Sequence, residues 1–301
     1  MLKKHDEPHE FYEVIGNKTL EDPNLNFYII ADAAQDSKFL KSFEHLRQKC
    51  LITEAAGEKA RAVSPHLLQM PKDFTAKEWQ WIQNNIVGTS VMTIIVSGLS
   101  FKLLFDHLRN FLEVRLEGGL DLFLAFWDPN ILATLVGNKE DSSLYVQGPV
   151  FNKQQIQDLL IPIHSWWYWN KAQQLQKIVG FNQYTEMLPT IQTPILFTVE
   201  QEEQMIEATL PDNLTYYLKL NNGFLVDHFN DQTLYKMIVD SLPEAKKIGL
   251  SGTRDLVNFM CLKLAYKDKF DTDTQLQSIL NDVEKTKISM DDAMQKIMNM
   301  K

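Results

Sequence analysis

Between Ser100 and Gly137 the spacing of apolar residues changes period twice, and no other stretch restricts the fold as tightly. Phe101, Leu104, Phe105, Leu108, Phe111 and Leu112 recur at helical spacing behind Ser100, a residue whose hydroxyl suits an N-cap. The period then drops to two: Leu112, Val114 and Leu116 alternate with Glu113 and Arg115, and Leu120, Leu122, Leu124 and Phe126 form a second alternating run. A two-residue turn at Gly118-Gly119 would mix the faces by setting Leu116 against Asp121. A three-residue loop, Glu117-Gly118-Gly119, instead pairs Leu116 with Leu120, Val114 with Leu122 and Arg115 with Asp121, so the register predicts that loop. Asp128-Pro129 then caps and opens a helix carrying Ile131, Leu132, Leu135 and Val136, which Gly137 ends.

The rest of the chain divides by character. Residues 1–25 read as a polar lead-in, 26–197 as a lobe in which strands and amphipathic helices alternate, and 198–301 as a helical lobe. In the middle segment, Phe27–Ala31 and His66–Met70 read as strands, and Phe39, Leu40, Phe43 and Leu46 as a helical face. Thr75-Ala76-Lys77-Glu78 has the form of a capping box before Trp79, Ile82 and Ile86. Val91–Val96 is a continuous run rich in β-branched residues, expected of a central strand covered on both faces. Lys139–Gln147 is polar and reads as an exposed loop. Beyond Ile195-Leu196-Phe197 helices alone remain. Thr198 to Gln201 forms a capping box, Asn222-Gly223 ends a helix, Asp231 starts one and Pro243 opens another. Leu256, Val257, Met260 and Leu264 make one further apolar face, and Leu276, Ile279, Leu280 and Val283 make the next. The expected class is α+β: a mixed β-sheet lobe with helical cover, then an all-helical lobe.

Charge narrows the partners. The balance of 30 basic against 39 acidic residues, net −9, repels a phosphate backbone on average, and no polybasic run favours anionic lipid. The N-terminal residues carry acids and a proline where an export signal has its apolar core, and the longest strongly apolar run is too short to span a bilayer. A cytoplasmic protein that binds neither nucleic acid nor membrane is expected, with Cys50 and Cys261 as reduced thiols.

Chemistry-bearing patterns are sparse. His5, Asp6, Glu7, His9 and Glu10 cluster, but Pro8 interrupts them and no second ligand group accompanies them, so they read as a polar tail and not a metal site. The chain has no G-x-S-x-G elbow, no H-E-x-x-H and no phosphate-loop or dinucleotide glycine pattern, so no catalytic residue and no cofactor is expected. Asp32 and Asp128 follow strands, and a cap explains them more simply than acid–base work. Trp166, Trp167, Tyr168 and Trp169 cannot all face one core. One or two are expected at the surface as binding anchors, the other reading being a bridge between core and lobe boundary. Met290, Met294, Ile297 and Met298 form a stripe behind Ser289, suited either to an adaptable partner groove or to packing on the chain's own helices.

The series ending in Phe126-Trp127-Asp128-Pro129 resembles the type VI secretion adaptor family (Tap, also called TEC). Fragments in matching order extend the likeness over about residues 26–286: Phe27 to Ala33, Ser64-Pro65-His66-Leu67-Leu68, Ile161-Pro162-Ile163 with Trp166-Trp167, Lys247 to Leu250, and Asp255 to Phe259. Ala125 and Asn130 stand where members often carry arginine, and a glycine usual before the late Phe-Asp is replaced around Lys267-Asp268, so no role of those arginines passes to this chain. The resemblance implies a non-enzymatic adaptor that binds a secretion effector and loads it onto the VgrG spike. An enzyme with an unrecognised site between the lobes and a toxin-neutralising immunity protein are the alternatives.

Overall fold

The structure, a computed structural model, describes residues 15, 22–36, 38–183 and 190–300. It divides into two compact units, Met1–Ala208 and Thr209–Lys301. The first unit runs β1 (Asn26–Asp32), α1 (Phe39–Ser42), β2 (Gln48–Cys50), α2 (Gly57–Ala62), β3 (Pro65–Met70), α3 (Lys77–Asn85), β4 (Met92–Ser97), α4 (Phe101–Arg109), β5 (Glu113–Leu116), β6 (Asp121–Phe123), α5 (Pro129–Val136), α6 (Lys153–Leu160), β7 (Ile163–Trp169), β8 (Leu175–Val179) and β9 (Ile195–Phe197). Helix α7 (Val199–Val226) begins in the first unit and continues into the second, which adds α8 (Asp231–Lys247), α9 (Thr253–Tyr266), α10 (Thr274–Glu284) and α11 (Met290–Met298). The fold is α+β.

The first unit is built on a six-stranded antiparallel sheet in the order β2-β3-β1-β4-β7-β8. Alternation along each strand feeds two cores. Tyr28 and Ile30 of β1, Ile95 of β4 and Phe101, Leu104 and Leu108 of α4 belong to one; Phe27, Ile29, Ala31, Ile94, Val96, Trp79 and Ile82 belong to the other. Both faces of β4 are therefore covered, and all its residues are buried, as the run Val91–Val96 predicts.

The same two-sided cover corrects the reading of the aromatic run. Trp166 and Tyr168 enter the first core, and Trp167 and Trp169 the second. All four are buried, because β7 lies inside the sheet and residues one apart point to opposite faces. Their polar atoms are paired as well: Trp166 Nε1 donates to Thr93 Oγ1 at 2.9 Å and Trp167 Nε1 to Ser165 Oγ at 2.9 Å. No indole of this run is a surface anchor.

The predicted hairpin has its predicted register: Val114 faces Leu122 and Arg115 faces Asp121, and Leu116 N–H donates to Leu120 C=O at 2.9 Å. Gly119 closes the loop at φ +85°, a conformation that strains any residue with a Cβ. Arg115 Nε and Nη2 contact the two Asp121 oxygens at 2.6 and 2.8 Å, and this pairing holds the Asp121 carboxyl below its ordinary range. Strand β9 adds in parallel on the far side of β5, completing a three-stranded sheet, order β6-β5-β9. The face assignment holds only in part. Leu112, Val114 and Leu124 are buried, whereas Leu120 and Leu122 are exposed because β6 is an edge strand that overhangs the core.

Asp128 is the N-cap of α5: its Oδ1 accepts from Asn130 N at 2.8 Å and Ile131 N at 3.1 Å, with Pro129 at the first helical position. Gly137 ends the helix at φ +71°, where an added Cβ would meet Pro149 N at 2.7 Å. Asp128→Ala is expected to cost about 0.5–2 kcal/mol, while Asp128→Asn leaves the urea midpoint nearly unchanged. An Asn variant as unstable as the Ala variant would contradict the cap.

Three further local readings are corrected. Lys139–Gln147 is a loop, but only partly exposed: Lys139, Glu140, Ser142 and Gln147 face water, whereas Asp141 is wholly buried, and Leu144 and Asn138 are buried beside it. Asp141 accepts from Ser143 N and Oγ, from Tyr168 Oη at 3.0 Å and from Asn170 Nδ2 at 2.9 Å. Thr75 does not cap α3. It bonds Asp73, and Glu78 turns to His45 Nε2 at 2.6 Å. Pro243 lies inside α8, where the buried stripe Leu234, Ile238, Leu242 and Ala245 carries the helix through it. By contrast Thr198 and Gln201 form the expected reciprocal box, and Ser289 pairs with Asp292 in another.

Candidate functional site

Several titratable groups of the first unit are held in bonds within the fold. His107 of α4 is buried and its Nε2 bonds Leu159 C=O at 3.0 Å; burial pushes its pKa down and keeps the ring neutral. Burial raises the Tyr168 hydroxyl, which is shared between Asn138 and Asp141. Asp32 closes a turn by accepting from Ala34 N at 3.0 Å and Gln35 Nε2 at 3.0 Å. Cys50 and Cys261 are free thiols, and burial lifts Cys261 to about 11. Among the described residues no group of three or more His, Cys, Asp or Glu side chains is placed to hold a metal. The His5–Glu10 cluster lies outside the described residues.

Exposed apolar surface is where the structure departs from a self-sufficient fold. In the second unit, Leu214 and Leu218 of α7 turn inward, while Tyr216, Tyr217, Leu220 and Phe224 are 60%, 41%, 61% and 81% exposed. Tyr217 and Leu220 fall at i and i+3 and share one helix face, and Phe224 follows just past the break at Asn222. The Tyr216 and Tyr217 rings meet edge to face with centroids 5.3 Å apart. Tyr217 also lines a cleft of about 390 Å³, together with Asn221, Asn222 and residues at the start of α9 that include Arg254 and Asn258. Helix α7 leaves helical geometry at Asn222, φ −135° and ψ 35°, where two helical segments meet, so one segment ends at Asn222-Gly223 as expected and a second continues beyond the kink. Arg254 of α9 is fixed by Asp291 at 3.0 Å.

This face was legible in principle. Residues 214–226 are apolar around more than one side of the helix, more than a single buried stripe needs. The methionine stripe singled out by spacing divides instead: Met290 and Ile297 are buried, Met294 is half-buried, and Met298 alone is exposed. Together with buried Trp166, Trp167 and Trp169, this leaves Met298 as the one exposed member of the residues nominated from sequence.

The first unit also exposes apolar side chains. Leu120, just before β6, Leu122 and Phe123 of β6 and Leu196 of β9 are exposed on a sheet whose edge strand is β6; Leu122 and Phe123, adjacent in the strand, point to its opposite faces.

Residues 27–144, from β1 through the Asp141 turn, match the family model described as Domain of unknown function (DUF4123). No curated protein and no solved structure matches the chain. Among the described residues no helix is long and apolar enough to cross a membrane.

Proposed function

We propose that this chain is a non-enzymatic adaptor that binds a type VI secretion effector and loads it onto the VgrG spike, remaining in the cytoplasm. The observation that carries the reading is the match of residues 27–144 to a domain family associated with type VI secretion effector adaptors. The ordered likeness beyond that span, through Asn258-Phe259, supports it.

The physical chemistry is compatible with such work. An adaptor needs two surfaces of its own, and each unit presents exposed apolar side chains. The exposed side chains of Tyr217, Leu220 and Phe224, with a cleft lined by Tyr217 and asparagines, combine aromatic anchors with polar groups that fix orientation. Leu220→Ser and Phe224→Ser are expected to leave folding intact, since both side chains are in water, and to weaken one partner by roughly thirtyfold, ~2 kcal/mol. Isothermal titration against purified effector and purified spike checks this. Unchanged affinity for both partners in both variants would remove the α7 face from the interface.

A further inference from the structure

We propose that the open edge of β2, with the cleft beside it, binds an extended acidic peptide segment of another protein as an added strand. The assignment stands apart from the adaptor reading, because it rests on the edge strand β2 and the side chains around it. Strand β2 ends the six-stranded sheet. Gln69 N donates to Arg47 C=O and Leu51 N to Pro65 C=O, each at 2.9 Å, and Cys50 faces His66. Antiparallel alternation then makes Lys49 and Leu67 a hydrogen-bonded pair and directs the main-chain groups of Gln48 and Cys50 away from the sheet. No described residue takes up those groups. An unpaired edge of this kind is a template for one more strand.

Charge selects the occupant. Arg47, Lys49, Lys59 and Arg61 crowd residues 47–61 against only Glu54 and Glu58, in a chain whose net charge is −9. Glu54 is already paired with Arg109. Arg47 and Lys49 rest on the rings of Phe101 and Phe105, 4.5 and 3.9 Å from the centroids, which holds both cations on one side of the strand. Arg61 is exposed and forms no ion pair among the described residues. A cleft of about 370 Å³ joins these elements, lined by Gln48, Lys49, Cys50, Thr53, Arg61 and His66. His66 Nδ1 lies 2.9 Å from Ser64 C=O, so the ring donates there and its Nε2 is left as an acceptor among the cleft groups. A strand laid along β2 would meet main-chain donors and acceptors from Gln48 and Cys50, and its carboxylates would meet Lys49 and Arg61.

The test is fluorescence anisotropy of the whole purified chain with a labelled synthetic peptide that alternates glutamate and valine. Binding is expected to weaken with salt, to fall at least ~tenfold in the double variant Lys49→Glu, Arg61→Glu, and to vanish when alternate peptide nitrogens are methylated. Circular dichroism confirms that the variant, altered only at exposed positions, is folded. Several outcomes overturn the proposal: no binding, equal binding of a lysine–valine peptide, or undiminished binding of the methylated peptide, which would mean charge without strand pairing. A dimer in sedimentation that the double variant dissolves would place a second copy of this chain on the edge and overturn it equally.

Discussion

Trp166→Ala is expected to lower the stability of the first unit by about 3–5 kcal/mol, the cost of emptying a buried indole site. The indole is fully buried, packs edge to face on Phe126 with centroids 6.1 Å apart, and donates to Thr93. Its loss opens a cavity and orphans the Thr93 hydroxyl inside β4. Urea denaturation measures the shift in midpoint. Met298→Ser, at a side chain 63% exposed, is expected to move it by less than ~0.5 kcal/mol. A Trp166→Ala protein with an unchanged midpoint and a lost binding partner would show that the indole is an anchor after all.

Asp141→Ala is expected to cost about 2–4 kcal/mol, because it strands buried donors without replacing their acceptor. Tyr168 O–H and Asn170 Nδ2 lose a partner in the core, and Ser143 loses the contacts that fold the turn. The damage reaches beyond the turn. Asp141 ties the segment after α5 to β7, so its removal loosens the join between a helix and the sheet it covers. Asp141→Asn keeps one acceptor oxygen and is expected to fall between wild type and Ala. Thermal unfolding of both variants decides it. An Ala variant within ~0.5 kcal/mol of wild type would mean that water satisfies these groups and the network holds nothing together.

What could be read from residues alone follows from how local the physics is. The helix–hairpin–helix segment was legible down to its register, because period, turn residues and the Arg115–Asp121 pair all agree within one short stretch. Thr198, Ser289 and Asp128 were legible as caps for the same reason. Failures cluster where a distant partner decides. Thr75 and Glu78 have the spacing of a box, yet Asp73 and His45 capture them. Four adjacent aromatics exceed what one core takes, but β7 lies between two cores, a position set by its pairing with β4 and β8. The polar turn at Asp141 is buried by Tyr168 and Asn170, far along the chain. Leu120 and Leu122 obey the strand pattern and are exposed because no described element covers the edge they occupy. The α7 face carried a signal of its own, surplus apolar residues around the helix, that strand and cap patterns do not measure.

Affinity capture of the tagged, full-length chain from its native cells, with mass spectrometry of what is retained, tests the adaptor reading most directly. The expected result is a VgrG spike protein and one secretion effector in near-stoichiometric amounts, with at least one of them lost when Leu220 and Phe224 are both changed to Ser. Recovery of neither a spike protein nor an effector from cells expressing all three would contradict it.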